Sequence, residues 1–363
     1  MINQIEIQNF KCFKQQIIPL ASLNVFTGFN AAGKSSSIQS LLLASQIEDK
    51  QGKCDVLLNG KNTRLGTSGE VVSRHADSRE IRFKFEGEVS TYSISLDASI
   101  RSALSLPVSL NSACEEIKRN ISKTVFISAA RDINLDLFPI PESPSHTNAD
   151  VGSFGQYAAW LFETHKDEEV HPSKMHPSES SRSFRKQFLA WMNEIFPNAE
   201  ANTTAVEGLP YVKLELRKSM HEDWNRPVNI GFGLSYVFPV LVAGLLTEDD
   251  QILIVDSPEA HLHPMGQSKM GSFLSMVAAS GTQTIIETHS DHVLNGIRLA
   301  VSKQKIAPQK VNIHFFDTKL DDKNIPIPFL VSPRIDRFGQ LSEWPEGFFD
   351  QTDKDISEIN GWD

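Results

Sequence analysis

The sequence predicts an α/β fold in which parallel strands carry polar groups to one edge of a sheet. Three apolar stretches of strand type, at residues 23–26, 251–256 and 282–287, are each followed by glycine, carboxylate or histidine residues. Ligands of open α/β sheets bind at the carboxyl ends of such strands. With 363 residues, of which 40% are hydrophobic, the chain can bury a sizeable core as one large or two smaller units.

A glycine loop at residues 28–35 follows the first of these strands and precedes a segment of helical pattern at residues 36–47. Glycines let backbone N–H groups turn around phosphates, the lysine can reach the β and γ oxygens, and the serine hydroxyl can ligate Mg²⁺. The order of strand, loop and helix favours a nucleotide triphosphate cradle over an incidental glycine turn. The predicted nucleotide-binding residues are Asn30, Ala31, Ala32, Gly33, Lys34, Ser35 and Ser36.

Extended segments flank this loop. Residues 2–7 and 15–20 are of strand type, and residues 54–98 alternate apolar and polar positions, which predicts an antiparallel meander beside the nucleotide core. Another buried strand at residues 124–128 leads to Arg131.

An insertion is predicted next, because prolines, serines and histidines concentrate between residues 138 and 185. A helical stretch at residues 155–163 interrupts it. Residues 184–196 have the apolar spacing of an amphipathic helix.

Asp256 stands at the carboxyl end of the buried strand 251–256. A carboxylate there can hold Mg²⁺, directly or through water, opposite the Ser35 hydroxyl. Glu259 is a second carboxylate near the same edge and can in principle accept a proton from an attacking water. The alternative for both residues is that they end the strand and cap the following helix.

His289 follows the strand at residues 282–287, where an imidazole can donate to a phosphate oxygen or position water. The alternative is a structural histidine. A zinc site made of His261, His263, His289 and His292 is disfavoured, because the first two diverge on a helix and no cysteine joins them.

A third glycine-rich region, residues 229–239, enters an apolar helix ahead of the Asp256 strand. N–H groups at a helix start attract anions. If this loop faces a second copy of the chain, Gly233 and Ser235 can hold the γ-phosphate bound by the partner's Lys34. The alternative is a plain glycine turn and helix cap.

Together these motifs resemble the ABC-type ATPase heads of the RecF, SMC and OLD group. Residues 9–13 with the phosphate loop resemble the opening of these heads, residues 231–235 their signature loop, and His289 their switch histidine. Within this group, the chain resembles more closely a compact bacterial AAA-family branch without coiled-coil arms. The segments that match this branch are residues 151–155, 259–264, 287–292 and 344–351.

The resemblance implies a P-loop NTPase of ABC-ATPase type, a two-lobed head that dimerises head to tail around two ATP molecules with Mg²⁺. We expect lobe I at residues 1–137, with the phosphate loop and meander, and a helical and loop insertion at residues 138–205. Lobe II is expected at residues 206–363, with the signature loop, the Asp256 strand and His289.

The sequence departs from the family pattern at one important position. Many ABC heads carry a catalytic glutamate directly after the metal-binding aspartate, but this chain has Ser257 there. Hydrolysis is therefore expected to be slow, to depend on Glu259, or to need a partner. Arg131 lies where relatives carry an arginine near the nucleotide, although a structural ion pair is equally compatible with it.

Composition narrows the class and location of the protein. A net charge of −10 argues against a wholly basic nucleic-acid coat protein but leaves a local nucleic-acid surface open. The cysteines Cys12, Cys54 and Cys114 form no CxxC pair. Because we find no signal peptide or apolar run long enough for a bilayer, we expect a cytoplasmic protein without membrane contact.

The residues after His292 show no nuclease-like pattern, so the head is expected to act through a separate molecule. The leading hypothesis is an ATP-gated homodimer, or higher oligomer, that controls a separately encoded effector such as a nuclease. It resembles the ATPase components of Septu-like antiphage systems. The alternatives are a RecF-like ATPase that binds DNA ends, and a nucleotide-gated scaffold or antitoxin-like regulator with little turnover.

Overall fold

The computed structural model describes residues 1–50, 53–112, 114–132, 135–143, 147–320 and 326–361, without the side chains of residues 49–50 and 351–353. Its strands in chain order are β1 (Gln4–Phe10), β2 (Phe13–Pro19), β3 (Leu23–Gly28), β4 (Glu48–Lys50), β5 (Lys53–Leu57), β6 (Glu80–Glu86), β7 (Thr91–Asp97), β8 (Ser105–Ser112), β9 (Val125–Ile127), β10 (Phe138–Pro139), β11 (Glu200–Ala205), β12 (Tyr211–Arg217), β13 (Ile252–Asp256), β14 (Gln283–Glu287), β15 (Val311–Leu320) and β16 (Pro326–Val331).

The helices follow the same order along the chain. They are α1 (Lys34–Ser45), α2 (Ser68–Val71), α3 (Glu115–Ser122), α4 (Ala158–His165), α5 (Phe184–Ile195), α6 (Pro227–Ile230), α7 (Phe232–Leu246), α8 (Pro264–Ala279), α9 (Asp291–Ser302) and α10 (Gln351–Asn360). Within the described ranges, every helix is too short or too polar to cross a bilayer.

A six-stranded sheet carries the predicted site. Its order is β16-β15-β3-β14-β13-β9, and all neighbours are parallel except β16, which runs antiparallel to β15. The side chains of β3, β13 and β14 are buried along almost their whole length, as expected for strands covered on both faces. The α/β prediction is therefore confirmed.

The register of this sheet brings the predicted functional positions together. Asp256 is the register partner of Glu287, and Glu287 is in turn the partner of Phe26 on β3. Because the strands run in parallel, their carboxyl ends and the loops that follow lie along one edge of the sheet.

A seven-stranded antiparallel sheet of order β2-β1-β6-β7-β8-β5-β4 forms the other large layer. Of the meander predicted over residues 54–98, β6 and β7 pair in sequence, the meander continues beyond that range into β8, and β5 pairs with β8 instead of β6. The N-terminal hairpin β1–β2 joins the same sheet through β6. Alternation explains this layer, since Ile81, Phe83 and Phe85 point into the core while the residues between them do not. Helix α1 contributes to the same apolar core through Ile38 and Leu41.

The predicted helices of the insertion are present as α4 and α5: α5 begins where it was predicted, and the other bounds are shifted by one to three residues. They pack on α7, and the rings of Phe162, Phe188 and Phe238 lie 4.9–5.5 Å apart between centroids. Strand β11 ends at Ala205, the last residue of the predicted insertion, and it pairs with β12 of the predicted lobe II in a small sheet of order β10-β12-β11. The proposed boundaries of the lobes stay predictions.

Candidate functional site

The phosphate loop joins β3 to α1 through left-handed backbone conformations at three positions, two of which are glycines. The φ angle is +119° at Gly28, +61° at Ala31 and +116° at Gly33. A Cβ atom at Gly28 would lie 2.1 Å from the carbonyl oxygen of Phe316, and one at Gly33 would lie 2.4 Å from the ring of Phe13. Gly28 and Gly33 therefore combine a left-handed backbone with a close approach that leaves no room for a side chain. Helix α1 consequently begins at Lys34, earlier than predicted.

Lys34 fastens the phosphate loop from inside. Its Nζ donates to the carbonyl oxygens of Gly28, at 3.0 Å, and Phe29, at 2.8 Å. Burial lowers the pKa of Lys34, while the nearby Glu287 and Asp256 carboxylates oppose that change. The ammonium is thus held inside the cradle and faces the carboxylates at the sheet edge.

Ser35 contacts a carboxylate that the sequence reasoning did not assign to the site. Its Oγ lies 3.2 Å from both Oε1 and Oε2 of Glu287. Glu287 is buried, and this burial, with the charge of Asp256, raises its pKa to about 7, although Lys34 and Ser35 oppose the shift. The position of Glu287 could have indicated this role, because Glu287 ends its strand beside the end of the strand that carries Asp256.

Asp256 lies on the neighbouring strand at the same level of the sheet. Its Oδ1 accepts a hydrogen bond of 3.0 Å from the hydroxyl of Ser257, whose φ is +48°. The chain therefore turns sharply after Asp256. Ser257, which stands where many ABC heads have a catalytic glutamate, instead holds the aspartate through its hydroxyl.

Glu259 joins the loops that follow β13 and β14. Its Oε2 accepts from the hydroxyl of Thr288 at 2.8 Å, and its Oε1 accepts from the backbone N–H of His289 at 3.0 Å. Burial and the charge of Lys34 lower the pKa of the His289 imidazole, against the opposing effect of Glu259 and Asp256. The lowered pKa favours the neutral imidazole, which can donate from one nitrogen and accept at the other.

Arg131 connects the end of β13 to α7. Its guanidinium is buried and donates to the carbonyl oxygens of Asp256, at 2.9 Å, Ser257, at 3.2 Å, and Tyr236, at 3.3 Å. Burial lowers its pKa to about 10, against the attraction of Asp256. The contacts are to backbone oxygens, so this arginine positions the turn after Asp256.

A cavity of about 860 Å³ opens beside the phosphate loop. Lys11, Lys34 and Arg74 contribute positive charge to it and Glu70 contributes one negative charge, so an excess of positive charge remains that suits a polyanionic ligand. Asn30 is exposed and Ala32 is buried on the same loop. The other predicted nucleotide-binding residues line the cavity: Ala31, Gly33, Lys34, Ser35 and Ser36.

The signature loop, residues 231–235, is placed differently. Ser235 is buried, and its hydroxyl donates to the carbonyl oxygen of Pro227 at 3.3 Å. A Cβ at Gly233 would lie 2.9 Å from the carbonyl oxygen of His261, so this loop packs on the turn after Glu259. The Phe232 side chain is 48% exposed. Among the described residues that line the cavity beside Lys34, none belongs to the signature loop.

The histidines of this region have separate environments. The His261 ring packs against Phe232 and Tyr236, with centroids 5.3 and 4.5 Å away. His263 caps α8 by accepting from the N–H of Met265. Across the described ranges, no set of three or more His, Cys, Asp or Glu side chains is grouped to hold a metal ion by itself. A histidine zinc site therefore has no support.

Comparison with solved structures places the fold among SMC head domains. One is an SmcHead bound to the C-winged helix domain of ScpA, with 14% identity and a TM-score of 0.58, covering 93% of this chain and 98% of that one. Another is an Smc head domain with an extended coiled coil, bound to the C-terminal domain of ScpA derived from Pyrococcus furiosus. It has 14% identity and a TM-score of 0.54, covering 99% of both chains.

Two family models match the chain, while no curated protein matches it significantly. Residues 306–359 match a protein of unknown function, DUF3696. Residues 23–295, well over half of the chain, match the family described as "AAA domain, putative AbiEii toxin, Type IV TA system". This match spans the phosphate loop, Asp256 and His289, and the SMC-head likeness agrees with it on the fold. The chain therefore belongs to this AAA-domain family, and its fold is that of SMC head domains.

Proposed function

We propose that the chain binds ATP with Mg²⁺, that two copies dimerise around the nucleotide, and that the dimer gates a separately encoded effector. The observation that carries the proposal is the convergence of Lys34, Ser35, Asp256 and Glu287 at one sheet edge, beside a glycine loop and a cavity. Such an arrangement combines cation, hydroxyl and carboxylates as nucleotide–Mg²⁺ sites require.

The residues present fit this ligand. N–H groups at the start of α1 and the Lys34 ammonium favour phosphate oxygens, whereas Ser35 and Asp256 supply oxygen ligands of the kind Mg²⁺ prefers. Mg²⁺ is usually held by one or two carboxylates with substrate phosphates, so a group of three carboxylates is not needed. Bound Mg²⁺ would neutralise the charge that develops on the phosphates.

Slow hydrolysis is part of the proposal. Ser257 cannot act as a carboxylate base, and its hydroxyl donates to Asp256. We assign the base role to Glu259, with His289 as the phosphate-sensing group, although both Glu259 oxygens accept hydrogen bonds within the chain. Each oxygen keeps a second lone pair that can accept a proton, but the two contacts hold the carboxylate in place, so an attacking water has to be brought to it, which supports low turnover. This also favours the second candidate, a nucleotide-gated regulator.

Dimerisation accounts for the signature loop. The 15-residue helix α7 begins there, and its first N–H groups favour an anion. Since the loop does not line the cavity of its own chain, we infer that its anion comes from a second copy. Gly233 and the helix start would contact that copy's phosphate, while the inward-facing Ser235 supports the loop from within.

The effector is proposed as a nuclease in a bacterial antiphage system. Support comes from the sequence resemblance to Septu-like ATPases and from the toxin–antitoxin wording of the family description. The similar SMC heads are described as bound to ScpA domains, and a head of this shape can dock a separate protein in the same manner.

The proposal is tested by measuring the mass of the purified chain by analytical ultracentrifugation without nucleotide, with ADP and with ATP, each with Mg²⁺. We expect a monomer without nucleotide and a dimer with ATP, together with slow phosphate release. The same mass in all three conditions contradicts the ATP-dependent dimer. Absence of nucleotide binding in equilibrium dialysis contradicts the whole proposal.

A further inference from the structure

We propose that Glu287 is a second carboxylate ligand of the nucleotide-bound Mg²⁺, next to Ser35 and in addition to Asp256. This inference rests on the proposed ATP–Mg²⁺ site. It extends that site to a residue to which neither the sequence motifs nor the family match assign a role. It predicts that removing the Glu287 charge weakens the response to Mg²⁺ more than it affects the binding of nucleotide.

The first argument is geometric. Glu287 presents both oxygens to the Ser35 hydroxyl, at 3.2 Å each. Ser35 has one O–H and can donate to one of these oxygens at a time. A divalent cation between the hydroxyl oxygen and the carboxylate would use lone pairs of both groups, as Mg²⁺ coordination does.

The second argument concerns the cost of the position. Glu287 is only 7% exposed, and a carboxylate buried to that degree is costly unless a cation or several donors compensate it. Lys34 is near, but its Nζ donates to the carbonyl oxygens of the phosphate loop. A cation between Ser35 and Glu287 would therefore neutralise the negative charge of Glu287, which Lys34 neutralises only in part.

The neighbouring carboxylates, Asp256 and Glu259, make hydrogen bonds to other partners than Glu287 does. Asp256, the register partner of Glu287, accepts from Ser257, while Glu259 accepts from Thr288 and the His289 N–H. Glu287 is thus the carboxylate in contact with the phosphate-loop hydroxyl. The competing explanation is structural, with Glu287 serving only to fix the Ser35 rotamer.

The experiment measures the affinity of the full chain for a fluorescent ADP analogue in EDTA and in a Mg²⁺ series. Glu287→Gln keeps the size and a hydrogen bond to Ser35 but removes the charge. We expect equal or tighter binding in EDTA, because repulsion of the phosphates is lost, and a reduction of about tenfold in the tightening by Mg²⁺. Glu222→Gln, at an exposed loop position, is the matched control.

A second readout is the number of Mn²⁺ ions bound per chain in the presence of ADP, from electron paramagnetic resonance, with a thermal melt to verify folding. Fewer bound Mn²⁺ ions in Glu287→Gln than in Glu222→Gln support the proposal. A folded Glu287→Gln variant with the wild-type Mg²⁺ response and Mn²⁺ count overturns it. Failure of the wild-type chain to bind the ADP analogue at all instead overturns the proposed function.

Discussion

The phosphate loop and the signature loop are both glycine-rich entries into helices, yet they are built in opposite ways. In the first, Lys34 and Ser35 contact groups of their own chain at the sheet edge. In the second, Ser235 turns inward to Pro227, and Phe232 is left exposed. The comparison teaches that one loop is preassembled within the chain, while the other leaves an apolar ring exposed on the surface that we propose meets a second copy.

The largest effect should come from removing the cation of the preassembled loop. Lys34→Ala deletes both the proposed phosphate ligand and the two hydrogen bonds that hold the loop. Since charge-assisted hydrogen bonds contribute about 1.5–3 kcal/mol each, we expect nucleotide binding and turnover to become undetectable. Lys84→Ala, on the exposed face of β6, is the control. If a folded Lys34→Ala variant still binds nucleotide, the phosphate loop is not the preassembled binding loop that the comparison describes.

The next effect concerns the link between the loops after β13 and β14. Glu259→Gln keeps the shape and one acceptor for Thr288 or the His289 N–H but cannot take a proton. We expect ATP turnover to fall about 100-fold or more, the usual range for a lost general base, with nucleotide affinity within about threefold of wild type. Unchanged turnover would show that Glu259 is a structural link only. Phosphate release under saturating ATP distinguishes the outcomes.

Much of the preassembled loop was predictable, because its chemistry is local. The glycines, Lys34 and Ser35 are adjacent in sequence, and apolar runs identify the strands that end at Asp256 and near His289. Glu287 was missed as a site residue because its role depends on the register between β14 and its neighbours. A carboxylate at a strand end becomes a partner of Ser35 only once β3, β14 and β13 lie side by side.

The signature loop was harder to predict for a related reason. Its sequence indicates a glycine turn into a helix, and α7 confirms the helix. The direction of Ser235, however, depends on how the short helix α6 packs beside α7, since the acceptor of the hydroxyl is Pro227. Helical periodicity alone does not determine that arrangement.

The stability of the sheet that carries the phosphate loop can be tested through its dependence on pH. The buried His314 on β15 is the register partner of Phe26, and its ring nitrogens bond the carbonyl oxygen of Pro19 and the hydroxyl of Ser332, each at 2.8 Å. Burial lowers the His314 pKa from 6.5 to about 4, against the Pro19 hydrogen bond. Between these values the unfolded chain binds a proton that the folded chain does not, so stability falls as pH falls.

His314→Gln keeps a donor for Pro19 and does not titrate. We expect the difference in unfolding free energy between wild type and this variant to change by up to about 3 kcal/mol between pH 7 and pH 4, with wild type losing stability faster. Urea unfolding at several pH values measures it. A difference independent of pH would mean that His314 is readily protonated in the folded chain.

The surface that we propose faces a second copy is tested at Phe232. Phe232→Glu puts a negative charge at the start of α7, where it would repel a phosphate held by a second copy. We expect ATP-dependent dimerisation to weaken about tenfold, with nucleotide binding by the single chain unchanged. The control is Val89→Glu, at a 96% exposed position between β6 and β7. Equal dimerisation of both variants would remove the signature loop from the proposed interface.

The smallest effect tests whether the chain beyond β16 also supports the phosphate loop. Gly347 has a φ of +79°, and a Cβ there would lie 2.4 Å from the Phe29 ring in the phosphate loop. Gly347→Ala should cost about 1 kcal/mol in backbone strain and displace that ring. Gly208→Ala is a close match, because its φ is +75° with nothing within 4 Å of the added carbon. A twofold or larger loss of nucleotide affinity in Gly347→Ala alone would extend the preassembled side to the segment that carries Gly347, whereas equal affinity would confine it to the sheet edge.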